Sequence, residues 1–228
     1  MVTFGDSFAI ATGFQKEGMV LVDLAAKIAP DTGRPRPRVF TLDTGRLPRE
    51  TYEMMDTVRQ RYGVAVEVVF PEREAVERMV AERGANLFYN SVEGRALCCR
   101  IRKVEPLERK LKELRAWATG LRRAQSDTRS AVAKIEEAEG RIKVNPLADW
   151  STEQLEEHIR ANGVPVHPLY ARGYASIGCD PCTRAIMPGE GARAGRWWWE
   201  QNSHKECGIH FNPDGSVRRD KVAAEDAA

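Results

Sequence analysis

The chain has 228 residues, 42% of them apolar and 30% charged, with a formal net charge of +2. That composition supports one sizeable buried core and excludes disordered, collagen-like and disulfide-stapled miniprotein classes. No apolar run approaches the roughly 18–20 residues of a membrane span, and residues 1–7 lack the basic-then-apolar pattern of a secretory signal. A soluble, cytoplasmic protein without a membrane partner is expected. The small net charge gives no reason to expect nucleic acid as a partner. It is unevenly spread, however, with nine Lys/Arg against three Glu between residues 100 and 123.

The first strong pattern is a short apolar run at residues 8–12, a turn at 13–17, and helical spacing from 19 to 28: strand, turn, helix. The motif repeats, with a strand at 38–43 leading to a helix opened by Pro48 and ending near Tyr62. A strand at 64–70 then leads to a helix over 71–83. Such alternation predicts an α/β fold, a parallel sheet with helices on both faces, and ligands beyond the carboxyl ends of the strands. A helical pattern is expected from Cys99 to about Glu113, distorted at Pro106, then a strand at 116–120 and a hairpin across 134–144. Ser151 and Gln154 carry the capping pattern of a helix reaching Asn162. Glycines 189, 191 and 195 and three consecutive tryptophans mark a change of character beyond Cys182. The expected organisation is therefore a domain over 1–186, an arm over 187–211 and a disordered tail over 212–228.

Five cysteines, an odd number, argue against a disulfide framework and for metal binding, catalysis or both. They divide into Cys98 and Cys99, the Cys179-Asp180-Pro181-Cys182 knuckle, and a lone Cys207. Four thiolates suit zinc or an iron-sulfur cluster. Two adjacent cysteines fit a single tetrahedral ion badly, whereas a cubane binds each thiolate to its own iron. Iron-sulfur, zinc and unconnected buried thiols all remain open on spacing alone. Cys207 has Lys205 and His210 nearby, which favour the nucleophilic thiolate, though an incidental surface thiol would look the same.

The turn at Thr12, Gly13 and Phe14 leads into a helix N-terminus, where backbone amides can hold a phosphate or sulfate, yet it is neither a Walker loop nor a dinucleotide fingerprint. An ordinary strand-to-helix turn is the competing reading. Arg102, Lys103, Arg122, Arg123, Arg129, Arg193 and Arg196 could face an anion. Arg109, Lys110 and Lys112 lie among glutamates at helical spacing and are expected to form a solvated face. If the chain after Cys99 is α-helical, Lys103 shares a face with that cysteine. The tryptophans at 197–199 are expected to pack into a core or interface.

These pieces resemble one family, the assimilatory adenylyl-sulfate reductases and their phosphoadenylyl-sulfate relatives, over residues 8–211. The resemblance rests on Cys98-Cys99-Arg100-Ile101-Arg102-Lys103, Leu42-Asp43-Thr44-Gly45, Trp117-Ala118-Thr119-Gly120, Val144-Asn145-Pro146-Leu147 and Ile177-Gly178-Cys179-Asp180-Pro181-Cys182. It extends through Arg193-Ala194-Gly195-Arg196-Trp197-Trp198-Trp199-Glu200 and Lys205-Glu206-Cys207-Gly208-Ile209-His210. It implies a fold related to the nucleotide α-hydrolases and adenine-nucleotide pyrophosphatases, with a mobile C-terminal arm. It also implies attack by Cys207 on adenosine 5'-phosphosulfate, release of AMP, and discharge of the S-sulfocysteine by thioredoxin or a similar dithiol, as a step of sulfate assimilation toward cysteine. Cys98, Cys99, Cys179 and Cys182 would hold a 4Fe-4S cluster. His210 and Lys103 would assist the reaction, and Thr12, Gly13, Phe14, Leu42, Arg102, Lys103, Gly120, Arg129, Arg193 and Arg196 would contact substrate.

The family usually has Ser where this chain has Gly13, removing one hydroxyl donor, and with only seven residues before the first strand a leading helix common in the family is not expected here. A homo-oligomer is compatible with the resemblance but not specified by it. Rival readings are reduction of the 3'-phosphorylated nucleotide, or of both, and a non-enzymatic metal-binding sensor. A sensor has no need of Cys207 beside His210, and relatives restricted to the 3'-phosphorylated substrate generally lack the four cluster cysteines.

Overall fold

Short runs of apolar and β-branched residues between turn signals form the strands: β1 (Phe8–Ala11), β2 (Val39–Leu42), β3 (Val66–Val69), β4 (Ala116–Ala118), β5 (Ile135–Ala138) and β6 (Arg141–Val144). The computed structural model describes residues 1–200 apart from 34, 35, 126–128 and 139. The strands make one sheet in the order β3-β2-β1-β4-β6-β5, parallel throughout except for the β5–β6 hairpin. The predicted doubly covered parallel sheet is therefore the observed fold.

Helices α1 (Lys16–Ile28), α2 (Arg49–Tyr62), α3 (Arg73–Arg83), α4 (Val92–Cys99), α5 (Glu105–Leu111) and α6 (Thr152–Asn162) connect and cover the strands. Side chains alternate faces along each strand. Ile10 and Val39 join Met19, Val22, Val58, Leu155 and Ile159 in one core, while Ala9 and Phe40 pack with Leu114, Leu107 and Leu111 in another. The capping box at α6 is formed as its sequence predicts, with Ser151 Oγ accepting from Gln154 N and Gln154 Oε1 accepting from Ser151 N. No helix among the described residues is long and apolar enough to cross a membrane.

Two expectations need correction. The helix expected to begin after Cys99 begins at Val92, so the tandem cysteines lie in its last turn. The distortion expected at Pro106 instead occupies Arg100–Val104, a π-helical turn, and Pro106 sits in the first turn of α5. A proline's missing N–H is harmless there, and the widened turn just before it absorbs the break in the i→i−4 ladder.

On α1, Asp23 is fully buried and joins three helices: His158 Nε2 is 2.9 Å and Lys27 Nζ 2.8 Å from Oδ2, and Tyr62 donates to Oδ1 at 3.1 Å. Burial alone would raise its pKa, but hydrogen bonds from Lys27 and His158, with Tyr62, hold it below the usual carboxylate value. A depressed folded-state pKa gives stability that is present at neutral pH and is lost as pH falls through that pKa. Asp23→Asn should therefore lower urea-unfolding stability at pH 7 by about 2 kcal/mol. The gap to wild type should close below about pH 4, and a gap independent of pH would contradict this role.

Candidate active site

The order of strands reverses between β1 and β4, which opens a crevice beyond their carboxyl ends. Thr12, Gly13 and Phe14 follow β1, Leu42 ends β2, and Gly120 follows β4, so these five sequence-derived candidates share one edge of the sheet. Phe14 has a φ of 58° and a fully buried ring. The left-handed backbone costs about 1–2 kcal/mol, which burying the ring offsets. Its amide donates to Thr12 Oγ1 at 3.0 Å. Gln15, at the N-cap of α1, makes no side-chain cap and instead accepts from Ile177 N at 3.1 Å. Gly13 has open space where a Cβ would stand, so a hydroxyl-bearing residue would fit there.

Glycine is required where this turn meets β4. A Cβ on Gly120 would lie 2.9 Å from Glu17 C and from Gly18 N, backbone atoms that cannot swing away. Gln125 Nε2 donates to Gly120 O at 3.3 Å and Gln125 Oε1 accepts from Arg129 Nη1 at 2.6 Å, linking Arg129 to the same crevice. Arg122 does not face the crevice as a free cation, since its guanidinium pairs with Glu17 at 3.0 Å and donates to Trp150 O. Arg123 pairs with Asp149.

Next to this edge lies the thiol centre. Ser91 caps α4 by accepting from Gly94 N at 3.0 Å, and the helix delivers Cys98 and Cys99 into the interior. The other two thiols come from a tight turn in which Cys182 N donates to Cys179 O at 3.0 Å, and this turn is tied to the loop after β2 by Asp180 N donating to Arg46 O at 2.8 Å. The Thr44 hydroxyl lies 3.2 Å from Cys179 Sγ. None of the four is in a disulfide, none is more than 9% exposed, and all line one cavity with Arg46, Arg95, Arg102, Lys103 and Trp197.

Burial raises the Cys98 thiol pKa, against the nearby charge of Arg102, and pushes Cys182 to about 12. Without a bound metal these are protonated, inert thiols; coordination is what deprotonates such groups. Three buried donors nearby, Arg102 Nε, Arg196 Nε and Trp197 Nε1, have no hydrogen-bond partner among the described residues. Buried donors normally find acceptors, and the thiolates and sulfides of an iron-sulfur centre would supply them. Among the described residues, no three His, Cys, Asp or Glu converge tightly enough to hold one ion. Four thiols on one cavity with three unpartnered donors beside them are a donor set that an iron-sulfur group would fit.

Arg102 and Lys103 lie in the π turn that follows Cys99, in which Glu105 N donates to Arg100 O five residues back, and both line the cavity with the thiols. Arg102 is buried and donates from Nη1 to Thr44 O at 2.6 Å. Arg196 is buried with its guanidinium 4.5 Å from the Trp197 ring, and Arg193 lies 5.9 Å from that ring. Cys207 and His210 lie outside the described residues.

Residues 7–185 match the model of the phosphoadenosine phosphosulfate reductase domain. The chain belongs to this family. A Burkholderia cepacia protein named adenosine 5'-phosphosulfate reductase is 57% identical over 175 residues, covering 76% of this chain and 70% of the relative. An Allochromatium vinosum protein of the same name is 46% identical over 229 residues, covering 96% and 88% respectively. Among solved structures, phosphoadenylyl-sulfate reductase from Candida auris in a phosphate complex aligns with a TM-score of 0.63 at 29% identity, covering 79% of this chain and 84% of that one. Candida glabrata FMN adenylyltransferase aligns at a TM-score of 0.56 with 13% identity over 96% of this chain and 66% of that one, a likeness of fold alone.

Around the four thiols, sequence reasoning missed Arg46 and Arg95. Arg95 stands three residues before Cys98, one helical turn, a signal hidden because the helix was expected to start later. Lys110, expected on a solvated face, is buried against Glu67 at 2.7 Å and Glu113 at 2.6 Å. Gly120→Ala should cost about 1–3 kcal/mol in urea unfolding, the usual penalty for forcing a methyl into packed backbone. Unchanged stability would show that the β4–α1 junction has slack.

Proposed function

We propose that the chain reduces adenosine 5'-phosphosulfate to sulfite and AMP, with Cys207 as nucleophile. The Cys207 thiolate attacks the sulfonate sulfur, the bond from sulfur to the phosphate oxygen breaks, and AMP leaves with its electron pair. Thioredoxin or a similar dithiol then attacks the Cys207 sulfur and expels sulfite. Its second thiol closes a disulfide, so the dithiol supplies both electrons. The observation that carries this reading is the convergence of Cys98, Cys99, Cys179 and Cys182 on one cavity with Lys103, beside the loop after β2. Its support from relatives is their shared name, adenosine 5'-phosphosulfate reductase. Buried cysteines outside any disulfide suit the reducing cytoplasm.

The four cysteines would hold a 4Fe-4S cluster, which when bound supplies a fixed electrostatic and structural centre. The remaining work falls to side chains and backbone of this chain. The crevice at Thr12, Gly13, Phe14, Leu42, Gly120 and Arg129 would seat the nucleotide. Lys103, with Arg193 and Arg196, would neutralise charge developing on the leaving phosphate, and His210 would sit near the reacting sulfur. Adding a 3'-phosphate would bring nearly two further charges to be desolvated and matched, so the unphosphorylated nucleotide is the expected substrate.

Cys207→Ser should keep the iron-sulfur absorbance and bind AMP yet form no S-sulfo adduct. A normal adduct mass on that variant would remove Cys207 from its role. Lys103→Ala should slow adduct formation about a hundredfold, corresponding to about 3 kcal/mol of transition-state stabilisation, while iron content stays intact. Near-normal single-turnover rates in that variant would leave the lysine with no part in the reaction.

A further inference from the structure

The chain approaching residue 200 is pinned at successive points. Thr183 bridges Arg196, Arg184 N donates to Gly195 O at 2.9 Å, and Arg184 forms two 2.8 Å hydrogen bonds with Glu190. Trp197 is buried at 1% exposure, has a φ of 45°, and donates from its amide to Cys182 O at 3.3 Å. Guanidinium groups of Arg95 and Arg196 lie 4.6 and 4.5 Å from its ring. Glu200 N turns back to Trp197 O at 3.0 Å. The Glu200 carboxylate then meets Arg95 edge-on, Nε donating to Oε1 and Nη2 to Oε2 at 3.1 Å, with side chains only 2% and 5% exposed.

A salt bridge stripped of water so completely is a poor source of net stability, because desolvation cancels most of the attraction. What two parallel charge-assisted hydrogen bonds add is direction. Here the direction is that of the chain leaving Glu200, set against the helix that carries Cys98 and Cys99 one turn beyond Arg95.

We propose that the Arg95–Glu200 pair is a latch fixing the root of the segment that carries Cys207, which makes Arg95 a positioning residue for sulfur transfer. The proposal rests on the reading of Cys207 as nucleophile and moves the root of the arm from residue 187 to Glu200. Seven residues separate Glu200 from Cys207, which confines the thiol within about 25 Å of the latch. Fraying back to Arg196 lengthens that tether to 11 residues, and fraying back to Thr183 lengthens it to 24. Effective concentration falls as roughly the −3/2 power of length, by about twofold and about sixfold respectively. The latch also joins the arm to the thiol centre, so disturbing α4 loosens both.

The test uses the full-length holoprotein and the variants Glu200→Gln and Glu200→Ala. Both should keep their iron and their affinity for AMP, be cut faster by trypsin after Arg196, and form the Cys207 adduct two- to sixfold more slowly in a single turnover. Unchanged adduct formation and unchanged cleavage would overturn the latch. Loss of iron and AMP binding together would also overturn it, reducing the pair to a support for the site. Hydrogen exchange on wild type decides independently of any variant. The amides of Trp197 and Glu200 should be protected like those of α4, and exchange at free-peptide rates would sink the proposal. A wild-type protein that forms no adduct at Cys207 would instead overturn the underlying reading, while exchange and proteolysis still judge the latch.

Discussion

Four buried thiols facing trapped cations are the constraint around which this end of the molecule is arranged. Protonated, they are merely small apolar side chains, and Met79, Leu87 and Phe88 pack with them accordingly. The cations make little sense in that state. Burying Arg102 and Arg196 costs free energy that Thr44 O and the Trp197 ring return only in part, since neither Nε finds an acceptor among the described residues. Deprotonated and holding iron, the same thiols would give those donors acceptors and the charges a counterpart. Folding of this region and loading of the site would then be two parts of one process.

The sheet contributes the geometry that sets the crevice beside the thiol centre. Its reversal point lies between β1 and β4, and the loop after β2 reaches from the sheet edge to Cys179 through Thr44. At Gly120 the backbone of Glu17 and Gly18 comes too close for any side chain to stand between the start of α1 and the end of β4. One wall of the crevice is thereby rigid. Arg102 joins its other side to the centre by donating to Thr44 O.

What could be read from the sequence follows from range. Strands, the α6 capping box and the β5–β6 hairpin are specified by neighbours a few residues apart, and each forms where its pattern places it. The grouping of Cys98, Cys99, Cys179 and Cys182 was legible because an adjacent pair and a short knuckle leave few partitions. The π turn was not, because a widened ladder has no residue signature beyond the proline that follows it. Nor were the buried charges. Lys110 meets Glu67 from 43 residues away and Arg95 meets Glu200 across 105, distances over which charge patterning along a chain carries no information.

The claim on which the rest depends is that the four thiols hold a multi-iron centre. Metal and acid-labile sulfide analysis of protein purified without oxygen tests it most directly. About four irons and four sulfides per chain, lost together in Cys179→Ser, are predicted. One zinc per chain without sulfide would contradict the account.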